Sequence, residues 1–343
     1  MDNAMHAGAV YVQTNDAAEN AVLAFARGTD GSLDSIGAYR TGGRGSGAPH
    51  LPSQGSVVLL DDGRRLLVSN AGSNDISLFS VEPVGLALLA TTPSGGVAPR
   101  SVAVHGDLVY VLNTADPSLA GYRLADDGIE AIADSRTMLP TDGDPAQAGF
   151  SPDGSMLVVT ERGTDAIALF PVLAGGQLGG PQLRPSSGPT PYGFAFAPDG
   201  TLVVTEAFRA QKGQAAASSY RIVGTTIEPV TPSQGNGRSE TCWAAITADG
   251  RFAFTTNFAD GAVSRYLIGA DGSITLDDPA AGVAVDGRAG LRDEEISADG
   301  RFLYAIDADA QRIFGWAVDT NGTLTPLGSW DGLPATVAGL AAN

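Results

Sequence analysis

The sequence predicts an all-β fold built from seven repeats, each with four short antiparallel strands. Two observations carry this prediction: a turn motif recurs at a nearly constant interval, and the apolar runs between turns are short and show no helical periodicity. The 45 glycines and 20 prolines suit many tight turns better than they suit long helices. Four strands in each repeat of about 45 residues are typical of a propeller blade, so we predict a seven-bladed β-propeller.

The repeated motif is a glycine at a tight turn, followed by an apolar strand that ends on a polar residue. In residues 151–154, SPDG, proline and glycine occupy positions that turn geometry favours, so this turn joins the first and second strands of its repeat. In five repeats an aromatic residue follows nine positions after the polar end and marks the third strand. The turn glycines lie 43 to 50 residues apart, at Gly63, Gly106, Gly154, Gly200, Gly250 and Gly300.

The two ends of the chain complete the count of repeats. Residues 8–42 supply three strands and lack a first one, whereas residues 335–343 resemble a first strand with no blade after it. If the C-terminal strand joins the N-terminal blade, the ring closes at seven blades without a free sheet edge. We therefore predict a single domain over 1–343, with blades near 8–42 plus 335–343, 54–94, 99–135, 145–185, 191–231, 241–279 and 291–329.

Charge and composition limit the partners of the chain. The formal net charge is −18, and such an acidic surface repels nucleic-acid phosphates and anionic lipids. No apolar run approaches the ~20 residues of a membrane span. We expect a monomer with a small-molecule substrate and with no nucleic-acid or membrane partner. The first residues do not read as a signal peptide, so we expect a cytoplasmic location for the chain as given, or a secreted or periplasmic one if a signal peptide has been removed.

Propeller geometry predicts which segments surround the channel. When the strands of a blade are counted outwards from the channel, the connections into the innermost strands and the turns between second and third strands lie on one face. Gln147 and Glu161, fourteen positions apart, are expected to meet there. The candidate catalytic residues on this face are His50, Arg100, Gln147, Glu161, Glu206, Asp293 and Glu294, and the candidate substrate-binding residues are Tyr192, Trp243 and Arg292.

The basic and aromatic candidates each have a functional and a structural interpretation. Arg100 keeps its charge and offers several donors to a carboxylate or carbonyl group, and His50 titrates near neutral pH, as a general base requires. Alternatively, Arg100 forms an ion pair between blades, and His50 is an ordinary loop residue. Tyr192 and Trp243 form either an aromatic wall of the site or part of the core.

The acidic candidates depart from the repeat pattern. Most second strands end on Asn or Asp, which suits turn chemistry, whereas Glu161 and Glu206 are poor turn residues in adjacent blades. Asp293 and Glu294 belong to a segment where other blades have apolar residues. Such carboxylates pair with an arginine such as Arg292, have a raised pKa, or bind a cation. Because no His or Cys metal-binding spacing is present, we expect no cofactor, with carboxylate-bound Ca²⁺ or Mg²⁺ as the alternative.

Nearly the whole chain resembles the seven-bladed propeller lactonase family, which groups phosphogluconolactonase-like and carboxymuconate-cyclase-like proteins. The resemblance is carried by residues 53–79, 99–113, 144–172, 190–207, 248–257 and 299–328. It implies a propeller fold and histidine and arginine at the entrances of the innermost strands. The matching positions here are instead Ser56, Ser101, Gln147, Gly193, Trp243 and Asp293. This difference argues against sugar-phosphate lactones and carboxymuconate as substrates.

The leading hypothesis is a lactonase-like hydrolase of a small, weakly charged cyclic ester at the channel mouth. In this hypothesis Arg100 and Gln147 stabilise the oxyanion, and the carboxylates of Glu161, Glu206 or residues 293–294 activate water together with His50. One alternative is an isomerase, cyclase or lyase that uses the same carboxylates on a small organic acid. Another is a non-catalytic propeller that binds a ligand or a protein.

Overall fold

A computed structural model describes residues 7–49, 51–52, 54–60 and 62–343 and confirms the predicted seven-bladed β-propeller. Each blade is an antiparallel sheet of at least four strands, and the regular elements are strands apart from a single 3-10 turn, Phe208–Ala210. Nowhere in these ranges is there a helix long and apolar enough to cross a membrane.

The first three blades follow the order of the chain, with the C-terminal strand added to the first. The first blade contains β1 (Gly8–Gln13), β2 (Ala21–Arg27), β3 (Leu33–Arg40) and β29 (Ala338–Ala342). The second contains β4 (Val57–Leu60), β5 (Arg65–Asn70), β6 (Asp75–Val81) and β7 (Leu86–Pro93). The third contains β8 (Pro99–His105), β9 (Leu108–Asn113), β10 (Ser118–Leu124), β11 (Ile129–Ala131) and β12 (Thr137–Met138).

The remaining four blades each contain four consecutive strands. The fourth contains β13 (Pro145–Phe150), β14 (Met156–Glu161), β15 (Ala166–Pro171) and β16 (Gln182–Pro185). The fifth contains β17 (Pro191–Phe196), β18 (Leu202–Glu206), β19 (Ala216–Val223) and β20 (Thr226–Gly235). The sixth contains β21 (Thr241–Ile246), β22 (Phe252–Asn257), β23 (Ala262–Ile268) and β24 (Ile274–Val283). The seventh contains β25 (Leu291–Ile296), β26 (Phe302–Asp307), β27 (Arg312–Val318) and β28 (Leu324–Asp331).

The ring closes through the C-terminal strand, as the sequence predicts. β29 pairs antiparallel with β1, so that Ala341 lies opposite Tyr11 and Leu340 lies opposite Val12. The buried guanidinium of Arg27 donates from Nε to the Asn343 carbonyl at 2.9 Å. The pairing supplies the innermost strand of the first blade from the other end of the chain and leaves no open edge there.

Alternating side chains on the two faces of each blade form the core between blades. Between the second and third blades, for example, Leu67 and Leu78 pack with Val109 and Val111, and each of these side chains is fully buried. Full burial of one such side chain contributes about 1.5–3 kcal/mol. This repeated packing fixes each blade against its neighbours and therefore fixes the innermost strands around the channel.

A β-bulge recurs where the innermost strands begin. One residue is left out of the pairing at Arg100 in β8, Ala146 in β13, Cys242 in β21 and Asp293 in β25. A bulge bends its strand and changes the direction of the side chains beside it. The residues that the sequence places at these entrances therefore do not follow a simple in–out alternation.

Candidate active site

The innermost strands enclose a cavity of about 470 Å³ in the central channel. It is lined by residues of β4, β8, β13, β25 and β29 and extends to the exposed Ala298, beyond the end of β25. Most of the wall is apolar or consists of Gly and Ala. The polar residues of the lining are Gln54, Gln147, Asp293, Glu294 and Glu295. No basic side chain lines it among the described residues, so the charge of the cavity is set by three consecutive acids, which we call the acidic triplet.

Two glutamine side chains bind the backbone of innermost strands with paired hydrogen bonds. Nε2 of Gln54 donates to the Ala244 carbonyl at 2.8 Å, and its Oε1 accepts from the Ala244 amide at 3.1 Å. Gln147 makes the same pair with Phe194, at 3.1 and 2.7 Å. Because Gln54 precedes the second blade and Ala244 belongs to the sixth, this side chain spans the channel. The two amides satisfy backbone groups that would otherwise face the channel unpaired.

The sequence predicted an open channel mouth on the face where the innermost strands begin. In the structure, the connection between the first and second blades covers this face. Leu51 is 1% exposed and packs with Ala71 and Ala338, and the Pro49 carbonyl accepts a hydrogen bond from Arg292. His50 lies outside the described residues. The cavity consequently extends from the glutamine pairs toward the hairpins between first and second strands, which is the face opposite to the one expected.

Asp293 occupies the bulge of β25 and is 3% exposed. Its Oδ2 accepts a hydrogen bond from the Gly339 amide at 3.1 Å, and the Trp243 side chain also hydrogen-bonds to it. Burial raises the pKa of Asp293 to about 7, although these two donors and the nearby Arg292 charge act in the other direction. The carboxyl group is thus held in place and titrates near neutral pH.

Glu294 and Glu295 complete the acidic triplet. Within the described part of the chain, neither carboxyl oxygen of Glu294 forms a hydrogen bond of good geometry, the Thr256 backbone being the one donor nearby, and the residue is 3% exposed. Burial and repulsion from Glu295 raise the pKa of Glu294 well above its usual value, and the Thr256 backbone offsets only part of the shift. Burial also raises the pKa of Glu295 to about 7. Burial therefore favours the protonated form of Glu294, whereas Glu295 is partly ionised at neutral pH.

The aromatic candidates lie in a packed layer that does not line the cavity. The rings of Tyr192 and Trp243 are 5.3 Å apart, and both side chains are buried. The Arg162 guanidinium lies 4.9 Å above the Tyr192 ring, and Arg292, which is 1% exposed, lies 5.2 Å from the Phe258 ring. These contacts match the structural interpretation of the aromatic pair, and Trp243 supports the acidic triplet through Asp293.

Arg100 is half-buried near this layer and does not line the cavity. Burial and repulsion from Arg162 lower the pKa of Arg100, whereas Tyr192 and Asp144 act in the other direction. Arg162 is itself paired with Asp144 at 2.7 Å. Arg100 therefore belongs to a charged cluster on the covered face.

Glu161 and Glu206 are both buried away from the channel, and the expected meeting of Glu161 with Gln147 does not occur. Glu206 accepts hydrogen bonds from the Gly188 amide at 2.9 Å, from the Ser233 hydroxyl at 2.7 Å and from the Ser218 hydroxyl. It links strands of the fifth blade to the connection that leads into that blade. Burial raises its pKa, and the hydroxyl and amide donors offset part of the shift. The backbones of both residues pair with the innermost strands, but the carboxylates bind groups farther out, Thr164 for Glu161 and the hydroxyls of β19 and β20 for Glu206.

Two polar residues of the cavity lining, Glu295 and Gln54, were not among the candidates selected from the sequence. Glu295 takes the register that Val58, Ala103 and Gly149 occupy in other blades, which was a usable signal. Gln54 stands in an ordinary polar connection, and nothing local indicates that it bonds to a strand 190 positions away. Among the residues that the structure describes, no three Asp, Glu, His or Cys side chains are grouped so that they could hold a metal ion.

Comparison with protein families extends over almost the same part of the chain as the blades. Residues 9–130, 129–214 and 206–337 match the family described as lactonase, 7-bladed beta-propeller. The chain belongs to this lactonase family. No match was found among curated protein sequences.

Solved structures share the fold of this lactonase-family protein at low sequence identity. A proposed 6-phosphogluconolactonase from Bacteroides uniformis is 18% identical, with a TM-score of 0.74 over 96% of this chain and 98% of that one. The periplasmic gluconolactonase of Pseudomonas aeruginosa is also 18% identical, with a TM-score of 0.72 over 98% and 99%. A protein from Lactobacillus plantarum is 16% identical, with a TM-score of 0.76 over 97% and 98%. At these identities the likeness concerns the fold.

Proposed function

We propose that this lactonase-family protein is a hydrolase that opens a small, uncharged or weakly charged cyclic ester inside its central channel. Family membership supports the reaction class. The observation that carries the proposed location is the cavity of about 470 Å³ whose ionisable lining is the acidic triplet. Two of its carboxyl groups, Asp293 and Glu295, have a pKa of about 7, which suits proton transfer at neutral pH.

The proposed reaction uses Glu295 as general base and Glu294 as a neutral donor. Glu295 accepts a proton from a water molecule whose oxygen attacks the lactone carbonyl carbon. The Glu294 carboxylic acid and the second N–H of the Gln147 amide donate to the oxyanion that forms. The ring C–O bond then breaks, and the proton held by Glu295 passes to the departing alkoxide oxygen. The product is the open-chain hydroxy acid.

The charge of the lining supports the substrate class. A phosphorylated or carboxylated lactone would bring its anion next to the acidic triplet, with no basic side chain among the described lining residues to balance it. A neutral sugar lactone or an acyl lactone avoids this repulsion. The first substrate to test is glucono-δ-lactone, because a gluconolactonase shares the fold.

Acid release from a lactone panel tests the proposal. Purified protein is assayed at pH 7.5 in a pH-stat with glucono-δ-lactone, an acyl-homoserine lactone, muconolactone and 6-phosphogluconolactone, each against spontaneous hydrolysis. We expect turnover of a neutral lactone and at least about a hundredfold loss in Glu295→Gln, which is in the range of a general-base contribution. Folded protein without turnover of any neutral lactone would exclude the proposed hydrolase.

An isomerase or lyase remains the second candidate, because carboxyl groups with a pKa of about 7 also suit abstraction of a proton from carbon. Product mass separates the two reactions. Hydrolysis adds one water molecule to the substrate, whereas isomerisation leaves its mass unchanged and a lyase divides it.

A further inference from the structure

A second pocket, of about 310 Å³, lies between the third and fourth blades, outside the channel. Its walls are apolar and include Met138, Phe170 and Leu183, and Glu161 is the ionisable residue of its lining. Met138 and Leu183 are 57% and 47% exposed, so the pocket is open to solvent on this side. We call it the Glu161 pocket.

The pocket exists because the outer strand of the third blade is interrupted. This strand is split into β11, with three residues, and β12, with two, whereas β20 and β24 have ten residues each. A full-length strand would cover the adjacent face of the fourth blade. The interruption leaves an opening at Met138 and Leu183, with the buried Phe170 and Ala168 on the fourth-blade side of the pocket.

The buried carboxyl group of Glu161 has fewer hydrogen-bond partners than that of Glu206 at the matching position of the next blade. The residue is 0% exposed, and its Oε2 accepts a hydrogen bond from the Thr164 hydroxyl at 2.7 Å. Its Oε1 has no partner among the described residues. Glu206 stands at the same end of the next blade and has three donors. A buried carboxylate with a purely structural role accepts hydrogen bonds from its own protein at both oxygens. Glu161 differs, because its Oε1 lies at an apolar pocket without a donor.

We propose that the Glu161 pocket binds a small organic cation, an alkyl or arylalkyl ammonium, that donates a hydrogen bond to Oε1 of Glu161 and places its apolar group against Phe170 and Leu183. An ammonium supplies both the missing donor and the opposite charge, and charge-assisted hydrogen bonds of this kind are the strong ones. Burial raises the pKa of Glu161, and Asp142 adds repulsion, so the ionised carboxylate gains from a cation. The proposal does not depend on the reaction in the channel.

Titration calorimetry with the full chain at pH 8 tests this proposal, with benzylammonium as the probe. Benzyl alcohol has the same apolar group without the charge, and methylammonium has the charge without the apolar group. We expect saturable binding of benzylammonium and at least about tenfold weaker binding of both comparators, which corresponds to about 1.4 kcal/mol. Equal binding of methylammonium would contradict the proposal, because it would show that the negative charge of the surface alone attracts the cation. Equal binding of benzyl alcohol would also contradict it, because it would show that binding does not need a charge opposite to that of Glu161.

Variants place the binding in the pocket. Glu161→Gln should weaken benzylammonium binding at least about tenfold, whereas Glu130→Gln, the same change at an exposed position of β11, should leave it unchanged. If Glu161→Gln does not fold, Met138→Lys gives the answer, because it places a competing ammonium at the exposed rim and should weaken binding to a similar extent. Undiminished binding in the folded variants, or no binding by the unaltered protein, would overturn the proposal.

Discussion

Glu295→Gln is expected to stabilise the folded protein at high pH while it removes the proposed lactone hydrolysis. The pKa of Glu295 rises from 4.5 to about 7 on folding because the group is buried in the channel. A group whose pKa is raised on folding binds its proton more tightly in the folded state, so stability falls as the pH rises between the two values. A shift of roughly 2.5 units corresponds to a penalty of roughly 3 kcal/mol above pH 7. Glutamine has nearly the same shape and carries no charge, so the variant avoids this penalty.

The assay is urea unfolding of both proteins at pH 5, 7 and 9, with the free energy of unfolding obtained from the midpoint and slope. We expect the variant to exceed the unaltered protein by about 2–3 kcal/mol at pH 9, by nearly as much at pH 7 and by less than about 1 kcal/mol at pH 5, because the penalty builds up between the two pKa values. Glu130→Gln, the same change at an exposed position of β11, is the control and should leave the free energy of unfolding nearly unchanged. A gain or loss of the same size at all three pH values would refute the reasoning, because it would show that ionisation of Glu295 is not what costs stability.

Three further predictions follow from contacts of the fold and the site. Gln54→Ala should lower the free energy of unfolding by about 2–4 kcal/mol, because it leaves the amide and carbonyl of Ala244 unpaired. Chemical denaturation measures this loss, and a loss smaller than the error of the method would contradict the prediction. Glu206→Ala should lower the free energy of unfolding by about 3–5 kcal/mol, since three hydrogen-bond donors lose their acceptor. Thermal unfolding checks this, and an unchanged midpoint would show that these hydrogen bonds make no net contribution to stability. With a neutral lactone, kcat/KM should rise as the pH increases through about 7, because Glu295 ionises there and becomes able to accept a proton. The pH–rate profile checks this, and a profile that is flat from pH 5 to 9 would exclude Glu295 as the general base.

The sequence predicted the fold because the signals for it are local and repeated. The turn at residues 151–154 holds its geometry through the Ser151 hydroxyl, which donates to Asp153 at 2.6 Å, and through Gly154, whose φ of 69° suits glycine. Each such turn fixes the register of the two strands beside it. The closure by β29 was predictable as well. The C-terminal segment resembles a first strand without a blade, the N-terminal blade lacks a first strand, and pairing the two completes the ring.

The candidate site was predicted in part. The sequence singled out Asp293 and Glu294, because carboxylates stood in a segment that is apolar in other blades, and both line the cavity. Gln147 also lines it, with an amide already engaged by the Phe194 backbone. The sequence did not show that Glu161 faces a separate pocket between blades, because that pocket depends on the length of the outer strand in the neighbouring blade.

The sequence by itself thus determined the repeat, the strands, the turns and the closed ring, because these depend on neighbouring residues and on a pattern repeated along the chain. Only the tertiary structure decided which polar groups meet. Gln54 reaches Ala244 across the channel, and a one-residue bulge at Asp293 sets the direction of the acidic triplet. The physical reason is that side chains alternate between the two faces of a strand, so a shift of one residue moves a group from the packing between blades into the cavity.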